Sequence, residues 1–185
     1  MYFDGLFYHV YNRGAHRWSI FHSTSDYQYC LALVSKYRIR YQVSVLAYCL
    51  MPNHYHFLLR QNPDGSISRF IQTIFNSYTQ HFNLKTRHSG TLFQGKAKRK
   101  LVSNEDMLAV LARYIHLNPY RARLAAYPHS WAFSDFLEWC GAKPFSISLP
   151  ELRDRFFRSG DDYRIFVEEL MGTVSLGRDL MDPIL

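Results

Sequence analysis

The sequence predicts an α+β fold: a ferredoxin-like antiparallel sheet with helices on one face, plus a helical C-terminal extension. Three observations carry this expectation. Short aromatic and β-branched runs alternate with amphipathic stretches in the order strand, helix, strand, strand, helix, strand, which is the split β-α-β pattern. The two middle strands are separated only by a Pro-Asn break, too short for a crossover, so they must pair antiparallel. At 185 residues, with 48% hydrophobic and 20% charged side chains, the chain fits one domain with a full core and has room for a small appendage.

Residues 6–11 (LFYHVY) are aromatic and β-branched, as a strand requires, and Asn12-Arg13-Gly14 ends them. Ser23-Thr24-Ser25 with Asp26 is a helix start signal. Cys30, Leu31, Val34 and Tyr37 then form one apolar stripe through about residue 41. Residues 42–50 are a second strand, Met51-Pro52-Asn53 breaks it, and residues 54–60 are a third. After the Asn62-Pro63-Asp64-Gly65 turn, Ser66 can cap a helix whose apolar positions, from Ile67 to Phe82, follow a 3.6 period. A fourth strand is expected at residues 98–102. Ser103, with Asp106 three residues on, resembles a capping box for a helix over 104–117. Asn118-Pro119 should close that helix, because the residue before proline disfavours it. Beyond it, residues 131–139, 149–157 and 162–171 read as short helices, with Gly141-Ala142-Lys143-Pro144 marking a break before the tail.

The net charge is +7, concentrated before Pro150, and the tail is slightly acidic. The densest basic segment holds Lys85, Arg87, Lys96, Lys98, Arg99 and Lys100 with no acid, which suggests a polyanionic partner; a solvated loop is the plainer alternative. No apolar run is long enough to span a membrane, and the N-terminus lacks the pattern of a signal peptide, so a cytoplasmic, nucleoid-associated protein is expected. Cys30, Cys49 and Cys140 are widely spaced in apolar surroundings and read as small buried residues of a reducing compartment.

Candidate chemistry centres on residues 49–60 (CLMPNHYHFLLR). On a strand, His54 and His56 point to one face while Tyr55, Phe57 and Leu59 point to the other. Two imidazoles on one face supply half of a metal shell; by spacing alone they read equally as polar residues on the solvated side of an edge strand. Tyr114 and Asn118 lie four apart on the last predicted helix of the body, hence one above the other. They suit a nucleophile and an oxygen ligand, but Tyr114 also continues the apolar stripe of Met107 and Leu111, and Asn118 also suits a helix end. Tyr78 is a rival nucleophile on the preceding helix.

Four motifs together, YHVYNRG (8–14), LMPNHYHFLL (50–59), LFQGK (92–96) and RYIHLNPYRARL (113–124), resemble the IS200-type single-tyrosine transposase superfamily, most closely its REP-associated tyrosine transposase branch. The resemblance covers about two thirds of the chain, and implies a transposase domain over 1–125 and a helical C-terminal extension over 126–185. It implies that His54-Tyr55-His56 is the histidine–hydrophobic–histidine (HUH) motif, that Tyr114 is the nucleophile, and that Asn118 is the third metal ligand. It also demotes Tyr78. Tyr120 and Arg123 depart from the family pattern, outside this set.

The implied reaction is cleavage and rejoining of single-stranded or hairpin DNA of the REP type through a 5′-phosphotyrosine link. A divalent metal, Mg²⁺ or Mn²⁺, would be held by His54, His56 and Asn118. Lys96, Lys98, Arg99, Lys100 and Arg13 are the expected phosphate contacts, with His116 and Gln94 as supporting groups. The protein would act as a monomer or homodimer. Two alternatives stay open: a nuclease using the histidines and activated water, and a nucleic-acid-binding module without catalysis.

Overall fold

The computed structural model describes residues 1–172; the rest of the expected extension, 173–185, lies outside them. Four strands form one antiparallel sheet: β1 (Phe7–Arg13), β2 (Val43–Met51), β3 (His54–Gln61) and β4 (Lys98–Val102), in the order β2-β3-β1-β4. This is the spatial order of a ferredoxin-like sheet, with β1 and β3 interior and β4 at an edge. The connecting helices are α1 (Thr24–Arg40), α2 (Ile67–Thr86) and α3 (Asp106–Arg121).

The helices divide between the two faces. Tyr8, Val10, Tyr55, Phe57 and Leu59 point to one side and are buried with apolar residues of α1 and α2. Leu46, Ala47, Cys49, Met51 and Leu58 point to the other, where Leu108, Leu111, Tyr114 and Ile115 of α3 cover them. The expectation of helices on one face therefore describes α1 and α2, and α3 takes the second face. The sequence carries the reason: β1, β2 and β3 are almost wholly buried, so both faces need a cover. A register shift between Val45 and Ala47 puts Leu46 and Ala47 on the α3 side together, widening the apolar floor under that helix.

Local signals set most helix ends. The Asp26 carboxylate accepts the backbone N–H groups of His22 and Ser23, both at 2.9 Å, at the start of α1. Ser66 accepts the Arg69 N–H at 3.2 Å to open α2. Two ends differ from expectation. Ahead of α3, Asn104 rather than Ser103 supplies the side-chain acceptor, taking the Asp106 N–H at 2.9 Å. And α3 does not stop at Asn118: Pro119 lies inside it. Proline removes the N–H that the Ile115 carbonyl would receive. The Asn118 amide replaces it, donating to Tyr114 O at 2.8 Å and Ile115 O at 3.3 Å, so the helix passes through Pro119 with those carbonyls satisfied.

The extension comprises α4 (Phe136–Trp139), α5 (Glu151–Phe156) and α6 (Gly160–Glu168), and it packs into the same core as α3. A buried polar network joins them. Asp135 accepts the Tyr48 N–H of β2 at 2.7 Å, Trp139 Nε1–H at 3.1 Å, and His116 Nε2–H of α3 at 2.8 Å. The other nitrogen of His116 meets the Tyr163 hydroxyl of α6. Burial pushes the Tyr163 phenol well up, which keeps it protonated as the donor. His116 thus ties the body to the extension, and its ring is committed to that network. All three cysteines are free, with Cys30 and Cys49 buried. Among the described residues, no helix is long and apolar enough to cross a membrane.

Two stability measurements follow from these contacts. Asp135→Ala leaves Tyr48 N–H and His116 Nε2 without their buried acceptor, and Trp139 Nε1 with the Leu46 carbonyl alone, and is expected to cost about 3–5 kcal/mol in urea unfolding. Asp26 bonds to Lys85 Nζ at 2.6 Å, linking the start of α1 to the end of α2. Burial raises its pKa, but Lys85, the His22 N–H and Ser23 outweigh that and hold it below the ordinary carboxylate value. Its stabilisation is therefore present above the unfolded value of about 3.9 and lost as pH falls through the folded value. Asp26→Asn is expected to cost about 1–2 kcal/mol at neutral pH and to flatten the acid limb of stability against pH.

Candidate functional site

The site forms where β1 and β3 pair beneath α3. Alternation along β3 places His54 and His56 on the α3 face and Tyr55 and Phe57 on the α2 face. Both histidines are covered, His56 completely and His54 to within 7% of full burial. The solvated-edge alternative is thereby removed, because β3 is interior.

A third histidine belongs to the cluster. His9 of β1 is buried on the same face, and its Nε2 lies 2.9 Å from His56 Nδ1, with the rings stacked 5.1 Å apart. The sequence reading passed over His9, although the same alternation rule could have found it. His9 and Tyr11 share a face of β1, and β1 pairs with β3 so that Tyr11 sits opposite His56. What the sequence lacked was that register.

Each imidazole is oriented by a neighbour. The Asn53 Nδ2 group donates to the Arg17 carbonyl at 3.2 Å, which turns its Oδ1 towards His54 Nδ1 at 2.6 Å. An amide oxygen only accepts, so His54 donates from Nδ1 and carries its lone pair on Nε2. His56 uses Nδ1 towards His9, and its Nε2 is buried without a hydrogen-bond partner. Burial, with His54 and His9 nearby, holds the His56 pKa well below that of free imidazole. Burial, then Lys100, lowers His9 to about 4. Both rings are therefore neutral at pH 7, the state in which imidazole binds metal.

The tyrosine of α3 meets this cluster. The Tyr114 ring stands edge-on to His56 at 5.7 Å and to His9 at 6.1 Å, and the Arg121 guanidinium lies 5.5 Å over it. Asn118 follows one turn later, fully buried. Because its nitrogen is spent on the helix carbonyls, its Oδ1 is left buried and without a partner. Among the described residues, no three His, Cys, Asp or Glu side chains are arranged to hold a metal ion.

The other candidates fall elsewhere. Tyr78 is buried on the α1–α2 side of the sheet, its hydroxyl donating to the Ile20 carbonyl, with no part in the cluster. His116 faces the extension. Gln94 accepts from Arg13 Nε, pairing two of the loop candidates with each other. The basic residues divide by alternation. Lys98 and Lys100 pair with Tyr11 and His9 and so share the site face. Arg99 pairs with Val10 and faces the α2 side, beside Lys96.

A family model described as IS200-like transposase matches residues 2–118. No curated protein matches the chain. Among solved structures, a REP-associated tyrosine transposase bound to a REP hairpin shares the fold, with a TM-score of 0.61 and 17% identity over 80% of this chain and 87% of that one. A transposase-like protein from Deinococcus radiodurans overlaps more weakly, with a TM-score of 0.45 and 16% identity over 60% of this chain and 88% of that one. The sequence match takes in the whole sheet, both helices beneath it and α3 as far as Asn118. The chain belongs to the IS200-like transposase family.

Proposed function

We propose that this transposase cuts and rejoins single-stranded or hairpin DNA of the REP type, with Tyr114 as the nucleophile and His54, His56 and Asn118 as ligands of a divalent metal. The observation that carries the reading is the meeting of Tyr114 with a cluster of buried imidazoles, together with two buried polar atoms that have no hydrogen-bond partner, His56 Nε2 and, one turn beyond Tyr114, Asn118 Oδ1. Buried polar atoms are costly unless they are paired, and a cation would supply the missing interaction for both. The donor set, two imidazole nitrogens and an amide oxygen, fits Mn²⁺ or Mg²⁺. When bound, such an ion polarises a phosphate oxygen and orients the scissile bond.

The chain's own residues would do the rest. His9 accepts from His56 Nδ1–H in the tautomer that leaves the His56 Nε2 lone pair for the ligand role, an orientation typical of supported ligands. The Tyr114 oxygen attacks phosphorus, forming a P–O(Tyr) bond as the P–O3′ bond breaks. The 3′ oxygen leaves and takes a proton to become a hydroxyl. The phosphotyrosine retains the bond energy, so the reverse attack by a 3′-hydroxyl rejoins the strand without ATP. Arg121 packs its guanidinium over the Tyr114 ring and helps to hold its orientation. Tyr114 is only 3% exposed, so a DNA strand reaches it through a movement of α3 or of the segments over it. Lys98 and Lys100, on the site face, would meet the phosphates, with Arg13, Lys96 and Arg99 as further contacts. In this reading residues 1–125 are the catalytic domain and 126–185 the extension, whose described helices brace α3.

Two measurements test it. Labelled hairpin DNA incubated with Mn²⁺ and run on a denaturing gel is expected to give a covalent protein–DNA adduct that Tyr114→Phe abolishes. Cleavage that survives Tyr114→Phe without adduct would instead indicate a water-activating nuclease, and binding without cleavage a recognition module. Separately, Mn²⁺ titration followed by electron paramagnetic resonance is expected to show binding weakened by more than about 10-fold in His56→Ala.

A further inference from the structure

Behind the histidine site, across the sheet, a groove of about 780 Å³ runs between α2 and the segment leading into β4. Its helical wall is unusual for a solvent-facing surface. Gln72, Asn76 and Gln80 are all exposed, four residues apart, and line it as a single row of carboxamides. Four residues of helix advance about 6 Å, so the row offers one amide every 6 Å. The opposite wall carries Lys96 and Arg99, both exposed, and the ring of Phe93. Among the described residues, no acid lines the groove. Arg99 lies 5.0 Å over the ring of Tyr2, so its guanidinium is held in place at the rim.

From this arrangement we infer that the groove is a second nucleic-acid subsite, which takes an unpaired stretch of DNA and reads adenine through Gln72, Asn76 and Gln80. The inference rests on the reading of the protein as a DNA-cutting enzyme and adds the part that selects sequence. Carboxamides are the side chains that pair bidentately with adenine. An amide about every 6 Å suits bases drawn apart on a single strand, and Phe93 across the groove gives an unpaired base a ring to stack on. Lys96 and Arg99 supply the phosphate grip and Phe93 a stacking surface, the combination that single strands require. Edge strand β4 links the two sites: Arg99 faces the groove while Lys98 and Lys100 face the histidines. A strand crossing this edge passes from one set of cations to the other.

The test measures fluorescence anisotropy with single-stranded homopolymers of about eight nucleotides, a blunt duplex and a hairpin. The wild type is expected to prefer the adenine oligomer. The triple variant Gln72→Ala, Asn76→Ala, Gln80→Ala, altered only at exposed positions, should lose that preference and bind the adenine oligomer about 10-fold more weakly. Lys96→Ala with Arg99→Ala should weaken all single strands alike and reduce the salt slope by about 2. Equal binding of the adenine oligomer by wild type and the triple variant overturns the subsite. So does hairpin binding by a wild type that ignores every single strand, an outcome that leaves the tyrosine reading standing. Failure to bind DNA in any form overturns both.

Discussion

The contact between His9 and His56, made across the β1–β3 pair and roofed by α3, is the point on which the site's geometry depends. It couples two requirements that normally oppose each other. Burial lowers the pKa of both rings and keeps them neutral, while the hydrogen bond holds one nitrogen of His56 and leaves the other directed into the site. An exposed histidine pair would titrate near neutrality and rotate; this one does neither. The cost is a set of buried polar atoms that the apolar surroundings cannot satisfy, and such groups persist where a ligand or reaction uses them.

The helix over this pair is held from two directions. Its inner stripe, from Leu108 to Ile115, lies on the floor made by β2 and β3. Its outer side reaches Asp135 and Tyr163 through His116, so the position of Tyr114 depends on a polar network two residues away from it. Asn118 contributes a local device. By supplying the Ile115 carbonyl that Pro119 would leave open, its amide lets the helix continue, and its bonds to the Tyr114 and Ile115 carbonyls fix where its oxygen points. One side chain thereby serves the backbone and remains available to the site.

Strand alternation organises charge as well as packing. The basic run of β4 looks like one patch in the sequence, yet its members serve opposite faces because successive side chains point opposite ways. As β4 lies at the edge of the sheet, its cations border both faces there. The sheet thus separates the buried histidines of one face from the exposed carboxamides beside the other.

Much of the architecture was legible in the sequence because it depends on local periodicity. The four strands, three main helices and the shared face of His54 and His56 follow from side chains repeating every two or 3.6 residues, and the Asp26 and Ser66 starts follow from capping chemistry. Tyr114 and Asn118 were marked by helical spacing and by resemblance, and the family match bears out the resemblance. Tertiary structure decided what no local rule contains. It put α3 on the face opposite α1 and α2, brought His9 to His56 across paired strands distant in sequence, turned His116 towards the extension, and carried α3 through Pro119 by means of a side-chain bond. In each case the deciding quantity was the register or packing of segments far apart in the chain, which a sequence read in order does not express.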